Sequence, residues 1–219
     1  MAPGTVTLVG GLTDRKPLYE YAGGVAIVVG LLNLALTYAR SHAKDKHADE
    51  RQSPFDYAAC LYTMHAALLA HKGLAYTEEN RKKLRVTIHR VEGADKVIQL
   101  VDYVGGEGGG AGRAFSSRSG LVGRAITSHK PTIMDRNGTY DEYIAALRSE
   151  YHMPEDEAKR VATDRYSYMA TPIKTGTRVI GVVYLDSSER GFFDASTADV
   201  AVTACAAVAQ YANFRYRQH

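Results

Sequence analysis

Two separate stretches of this chain alternate apolar and polar residues at period two, and each stretch is double. In LRVTIHRVEG, Leu84, Val86 and Ile88 alternate with Arg85, Thr87 and His89, the period of a half-buried strand. His89 therefore belongs to the face opposite the apolar one. Gly93-Ala94-Asp95 is a turn sequence, and VIQLVDYVGG predicts a second strand over residues 97–106, closing an antiparallel hairpin. The second stretch predicts strands over residues 169–173 and 179–185, with Thr175-Gly176 at the turn between them.

Helical periodicity brackets these hairpins. Over residues 55–72, Tyr57, Leu61, Met64 and Leu68 recur at spacings of three and four, with Ser53 as a candidate cap and Gly73 as a stop. The alanine-rich residues 194–217 put Val200, Ala204, Ala207, Val208 and Tyr211 on one helical face. Between the hairpins lie a short helix (GLVGRAITSHK), a short strand (KPTIMD) and a polar helical insert over residues 139–165. The order predicts an α+β domain: a central antiparallel sheet, terminal helices packed together on one side, and a helical insert large enough to cover a pocket.

The segment GGEGGGAGRAF follows the second predicted strand. Six glycines in the eight residues from Gly105 raise the question of a phosphate loop. A Walker-type loop needs a lysine and a hydroxyl residue after its last glycine, and a dinucleotide fingerprint needs a helix to open there. Neither follows, so a mobile loop between strand and helix is expected, with a loop adaptable to a ligand as the alternative.

Residues 21–39 carry no formal charge over nineteen positions. As a helix the run measures about 28 Å, just enough for a hydrocarbon core of roughly 30 Å. Arg40, Lys44, Lys46 and Arg51 follow it, which places the C-terminal bulk in the cytoplasm if it spans. The alternative is a buried or dimer-forming helix of a cytoplasmic protein. The expected organisation is an N-terminal segment (1–20), an apolar helix separate from the domain (21–39), a charged linker (40–54) and a domain (55–217).

A formal charge of +3, evenly spread, argues against nucleic acid. The basic run Arg81-Lys82-Lys83, beside Glu78 and Glu79, reads as a solvated helix face. Cys60 and Cys205 read as buried free thiols in helices, and no histidine spacing suits a metal.

GLVGRAITSHKPTIMD, followed by SYMATPIKTGTRVIGVVYLDSSERGFFDASTADV, resembles the pattern of the GAF domain family. The matching positions are Gly120 and Gly123, Asp135, Pro172-Ile173, Ile180-Gly181-Val182 and Phe193-Asp194. The resemblance implies a six-stranded sheet, a small-molecule pocket between sheet and insert, a sensory or docking role, and homodimers through the terminal helices.

The family's known chemistries meet departures here. Asp186-Ser187 stands where cyclic-nucleotide-binding members have Asn-Lys, and no cysteine for a bilin or for sulfoxide reduction lies between Cys60 and Cys205. His129 and His152, the candidates for a haem ligand, read as surface residues. No cofactor is named by any motif. The pocket lining is expected from Arg113, Phe115, Ser116, Ser117, Arg118, Asp135, Arg136, Arg165, Tyr166 and Tyr168, whose arginines would suit an anionic ligand. No nucleophile–base pair or paired carboxylates are visible, so a protein that is not an enzyme is expected. The remaining readings are a membrane-anchored sensor, a ligand-free scaffold, and a ligand-controlled membrane effector.

Overall fold

A computed structural model describes residues 53–216. The expected segments 1–20 and 21–39, and most of the linker 40–54, lie outside the described residues. Among those described, no helix is long and apolar enough to cross a membrane.

The elements run α1 (Ser53–His71), α2 (Glu78–Lys83), β1 (Leu84–Glu92), β2 (Lys96–Gln99), β3 (Ala114–Ser116), α3 (Gly120–Ser128) and β4 (Thr132–Asp135). They continue with α4 (Tyr140–Ser149), α5 (Glu155–Ala158), β5 (Ser167–Thr175), β6 (Arg178–Ser187) and α6 (Ala195–Tyr216). Six strands form one antiparallel sheet in the order β3-β2-β1-β6-β5-β4.

Alternation assigns the two faces. Leu84, Val86 and Ile88 of β1, Met169 and Ile173 of β5, and Val183 and Leu185 of β6 all turn toward the terminal helices. There Leu61, Met64 and Leu68 of α1 meet Ala201, Cys205 and Val208 of α6. Burying each large side chain contributes about 1.5–3 kcal/mol, so this layer carries much of the stability. Asp194 ties the two helices: it caps α6 by accepting from the Thr197 backbone N–H at 2.8 Å and pairs with Lys72, just past the end of α1, at 2.7 Å.

The opposite face holds a second cluster, in which Leu121, Val122 and Ala125 of α3 and Tyr143, Ile144 and Leu147 of α4 pack over Tyr168, Ala170 and Val182. The insert over residues 139–165 thus covers the sheet through α4 and α5. A capping box starts α4: Thr139 accepts from the Glu142 N–H, and Glu142 reaches back to the Thr139 N–H at 2.7 Å.

The second strand departs from expectation. It ends at Gln99, not at Gly106, because the fully buried Gln99 side chain turns to the Val101 carbonyl, 2.9 Å away, and the chain leaves the ladder. Val104 returns only as an isolated bridge to Val86. Strand β3, beyond the glycines, then pairs with β2. The basic run sits on α2, which buries no residue.

Candidate ligand-binding cavity

The polar half of each alternating strand faces the insert. Arg85 and His89 come from β1, Tyr168 from β5, and Tyr184 and Asp186 from β6. Register places Asp186 directly opposite Arg85 on one side and Tyr168 on the other. With Phe115 of β3, Leu121 and Val122 of α3, Tyr143 and Leu147 of α4, and Met153, Glu157 and residues 160–162, they line a cavity of about 500 Å³. Small-molecule sites fall within roughly 300–1,000 Å³.

Its floor is a buried ion pair. The Arg85 Nε and Nη2 donate to the two Asp186 carboxylate oxygens at 2.8 Å each, and Nη1 donates to the Glu107 carbonyl at 3.1 Å. The Tyr103 ring lies 4.6 Å from the guanidinium. Behind them Arg165, 5% exposed, donates to the Lys82 carbonyl at 2.9 Å and sits 3.6 Å from Asp186. Burial pushes the Asp186 carboxyl above its usual range, and Arg85 and Arg165 oppose that push without cancelling it.

Phenols surround the pair. Burial, reinforced by Asp186, pushes Tyr103 and Tyr168 up to about 12. Tyr184 keeps part of its surface open to the cavity, yet lies deep enough for burial to hold it well above the ordinary phenol value. At neutral pH these phenols are therefore hydrogen-bonding, uncharged groups. Tyr168 donates to the Arg165 carbonyl at 2.8 Å and stacks on Tyr143, centroids 5.6 Å apart. His89, 3% exposed, packs edge-on against Phe115 and Tyr184. Burial lowers its pKa to about 4, the Val182 backbone working in the opposite direction, so the ring is neutral.

The glycine loop closes one wall and packs closely at two of its glycines. At Gly105, φ is +81° and a Cβ would collide with the Leu84 carbonyl and the His65 ring. At Gly110, φ is +135° and a Cβ would lie 2.5 Å from the Gln99 amide oxygen. Gly108 and Gly109, between them, border the cavity. The loop shapes one wall of the cavity.

Of the residues expected from sequence, Arg113, Phe115 and Tyr168 line the cavity. The others are held elsewhere. Ser116 accepts from the Arg118 N–H, Ser117 donates to the Ala94 carbonyl, and Arg118 is exposed and paired with Asp95 at 2.6 Å, because this turn packs on the β1–β2 turn. Asp135 accepts from the Gly191 N–H. Arg136 lies between the Tyr140 and Tyr166 rings and donates to the Thr163 carbonyl at 2.7 Å, while Tyr166 meets Arg190 on its other side. Arg165 lies beneath the floor. The expected cluster of arginines around one mouth is thus dispersed, leaving Arg113 and Arg160 at the rim.

Sequence reasoning missed Arg85, Gln99, Tyr103, Tyr143, Tyr184 and Asp186. The signal for Arg85, Tyr184 and Asp186 was present, since they occupy the polar positions of alternating strands. Nothing marked Gln99 and Tyr103, whose places depend on the chain leaving the ladder.

Cys205 is buried in α6 and Cys60 packs against the same cluster, so both thiols lie on the far side of the sheet from the cavity. Burial raises the Cys205 thiol. His129 and His152 are exposed. Among the described residues no group of three His, Cys, Asp or Glu side chains is gathered to hold a metal.

No protein-family model and no curated protein sequence matches the chain. Solved structures match it in fold. The chromophore-binding domain of the R. palustris bacteriophytochrome RpBphP3 matches over 91% of this chain and 64% of its own, at a TM-score of 0.55 and 12% identity. The GAF domain region of a Geobacter sulfurreducens PCA protein matches over 72% of this chain and 95% of its own, at 0.48 and 16% identity. Free methionine-R-sulfoxide reductase from Neisseria meningitidis, solved with its substrate, matches over 76% and 94%, at 0.47 and 16% identity. The presence of such enzymes among the matches overturns the expectation of a protein that is not an enzyme. What the chain shares with these proteins is their architecture: it has a GAF-like α+β fold.

Proposed function

We propose that this chain is a small-molecule-binding regulatory protein whose ligand occupies the cavity between the sheet and the insert. The observation that carries the reading is the cavity itself: about 500 Å³, walled by aromatic and aliphatic side chains over a neutralised ion pair. Residues 21–39 anchor it in the cytoplasmic membrane, the domain facing the cytoplasm, and the terminal helices pair two copies. The support for the anchor is the uncharged run and the basic residues after it.

Occupancy has a route to α1. The Lys82 carbonyl at the end of α2 is held by Arg165 from beneath the cavity floor, and the adjacent Lys83 carbonyl accepts from Ser187, the residue after Asp186. From the other side His65 of α1 holds the Arg81 and Leu84 carbonyls at 3.1 and 2.9 Å. A ligand that shifts the floor therefore pulls on α1, and through it on the linker.

Native mass spectrometry of the full chain, before and after mild unfolding, tests the reading. A mass excess lost on unfolding supports it. A clean apo protein that ignores metabolite mixtures overturns it in favour of a docking scaffold. Resistance to alkaline carbonate extraction from membranes tests the anchor, and release into the supernatant would remove it.

A further inference from the structure

The buried charges on the cavity floor are already set against one another. Three of the five Arg85 N–H groups are committed, two to Asp186 and one to Glu107, with Tyr103 over its face. Arg165 is turned to the Lys82 carbonyl. A charged group at this depth would be desolvated beside a pair whose charges already cancel. Two hydroxyls have no such commitment: among the described residues the Tyr103 and Tyr184 phenols, both lining the cavity, make no hydrogen bond. Opposite them the wall is apolar and pliable, formed by Leu121, Val122, Met134 and Met153.

We propose that the cavity selects an uncharged, largely apolar organic molecule that packs against this apolar wall and accepts hydrogen bonds from Tyr103 and Tyr184. The inference rests on the reading of the cavity as a ligand site and deepens it. It replaces the anionic ligand suggested by the arginine-rich sequence around the mouth. Arg113 is exposed, and Arg160 faces Asp156 at 3.8 Å, so neither offers a desolvated site for an anion. The half-buried Glu157 at the same rim opposes one.

Three probes share one ring and differ in charge: 2-acetylnaphthalene, 2-naphthoate and 2-naphthylmethylammonium. Each is titrated calorimetrically into the full chain and into Tyr184→Phe and Tyr103→Phe, with the heat of the same probe titrated into protein-free detergent subtracted. Unchanged circular dichroism establishes that the variants fold. The ketone is expected to bind at least about tenfold more tightly than either ion, and to weaken about fivefold for each hydroxyl removed. Tightest binding by naphthoate, weakened by Arg113→Gln, overturns the proposal and leaves a ligand cavity standing. So does ketone affinity indifferent to both phenols. If no probe binds while native mass spectrometry finds a small molecule, this inference falls alone; if neither finds one, the ligand reading falls with it.

Discussion

Asp186→Asn keeps the shape of the cavity floor and deletes its negative charge. The Arg85 side chain is 13% exposed and that of Asp186 2%, so the surviving guanidinium cannot recover its hydration. Two charge-assisted bonds of 2.8 Å are weakened together, and Arg165 loses the charge 3.6 Å away. Breaking a buried pair from one side costs about 3–5 kcal/mol. With a urea dependence of about 2 kcal/mol per molar, the unfolding midpoint falls by roughly 2 M. Removing both partners in Arg85→Met/Asp186→Leu leaves no lone charge in the pair, and Arg165 keeps Asp164 at 3.4 Å. The double variant is therefore expected to lose less than Asp186→Asn. Urea unfolding followed by circular dichroism reads both. A loss below about 1 kcal/mol in Asp186→Asn, or a larger loss in the double variant, would refute the assignment of a buried, mutually dependent pair.

Three further outcomes are expected. His89 has its folded pKa depressed to about 4 from 6.5, so the unfolded chain binds the extra proton and stability falls as pH drops through that window. The loss is about 3 kcal/mol, and the difference between wild type and His89→Phe isolates it from His65, which acts in the same direction, and from Asp186, which acts oppositely; identical pH slopes would contradict it. Gly105→Ala, blocked by the Leu84 carbonyl and His65, is expected to cost at least about 3 kcal/mol, whereas Gly112→Ala, with nothing within 4 Å, carries only backbone strain of about 1 kcal/mol; equal midpoints in thermal unfolding would count against this. Thr139→Ala removes the capping box of α4 and is expected to cost about 1 kcal/mol in urea unfolding, with faster amide exchange in α4 than in α6.

The sheet and its two helical sides were legible because burial imposes period. Leu84, Val86 and Ile88 must share a face, and so must Val183 and Leu185, whatever the fold is called. The site was less legible for the same reason in reverse. Polar residues on the second face read as solvated until the insert is seen to cover them, and Asp186 reads as a strand end until register sets it against Arg85. Arg118 and Arg136 look like ligand groups in sequence, but a surface carboxylate and three tyrosine rings claim them. The shortening of β2 at Gln99 had no local signal, since a buried amide turning to its own backbone is decided by tertiary space.

The pairing of Arg85 with Asp186 also bears on how the chain finds its fold. β1 and β6 lie side by side near the middle of the sheet, yet the two residues are 101 positions apart in sequence. That ladder forms only after most of the chain has been made, and both strands are apolar enough to pair in more than one alignment. A slip of one residue would drive Arg85 into the layer of Leu61, Met64 and Met169, or Asp186 into the same place. Either error buries a solitary charge in hydrocarbon. The ion pair thus acts as a proofreader, admitting one alignment of the two strands and rejecting its neighbours.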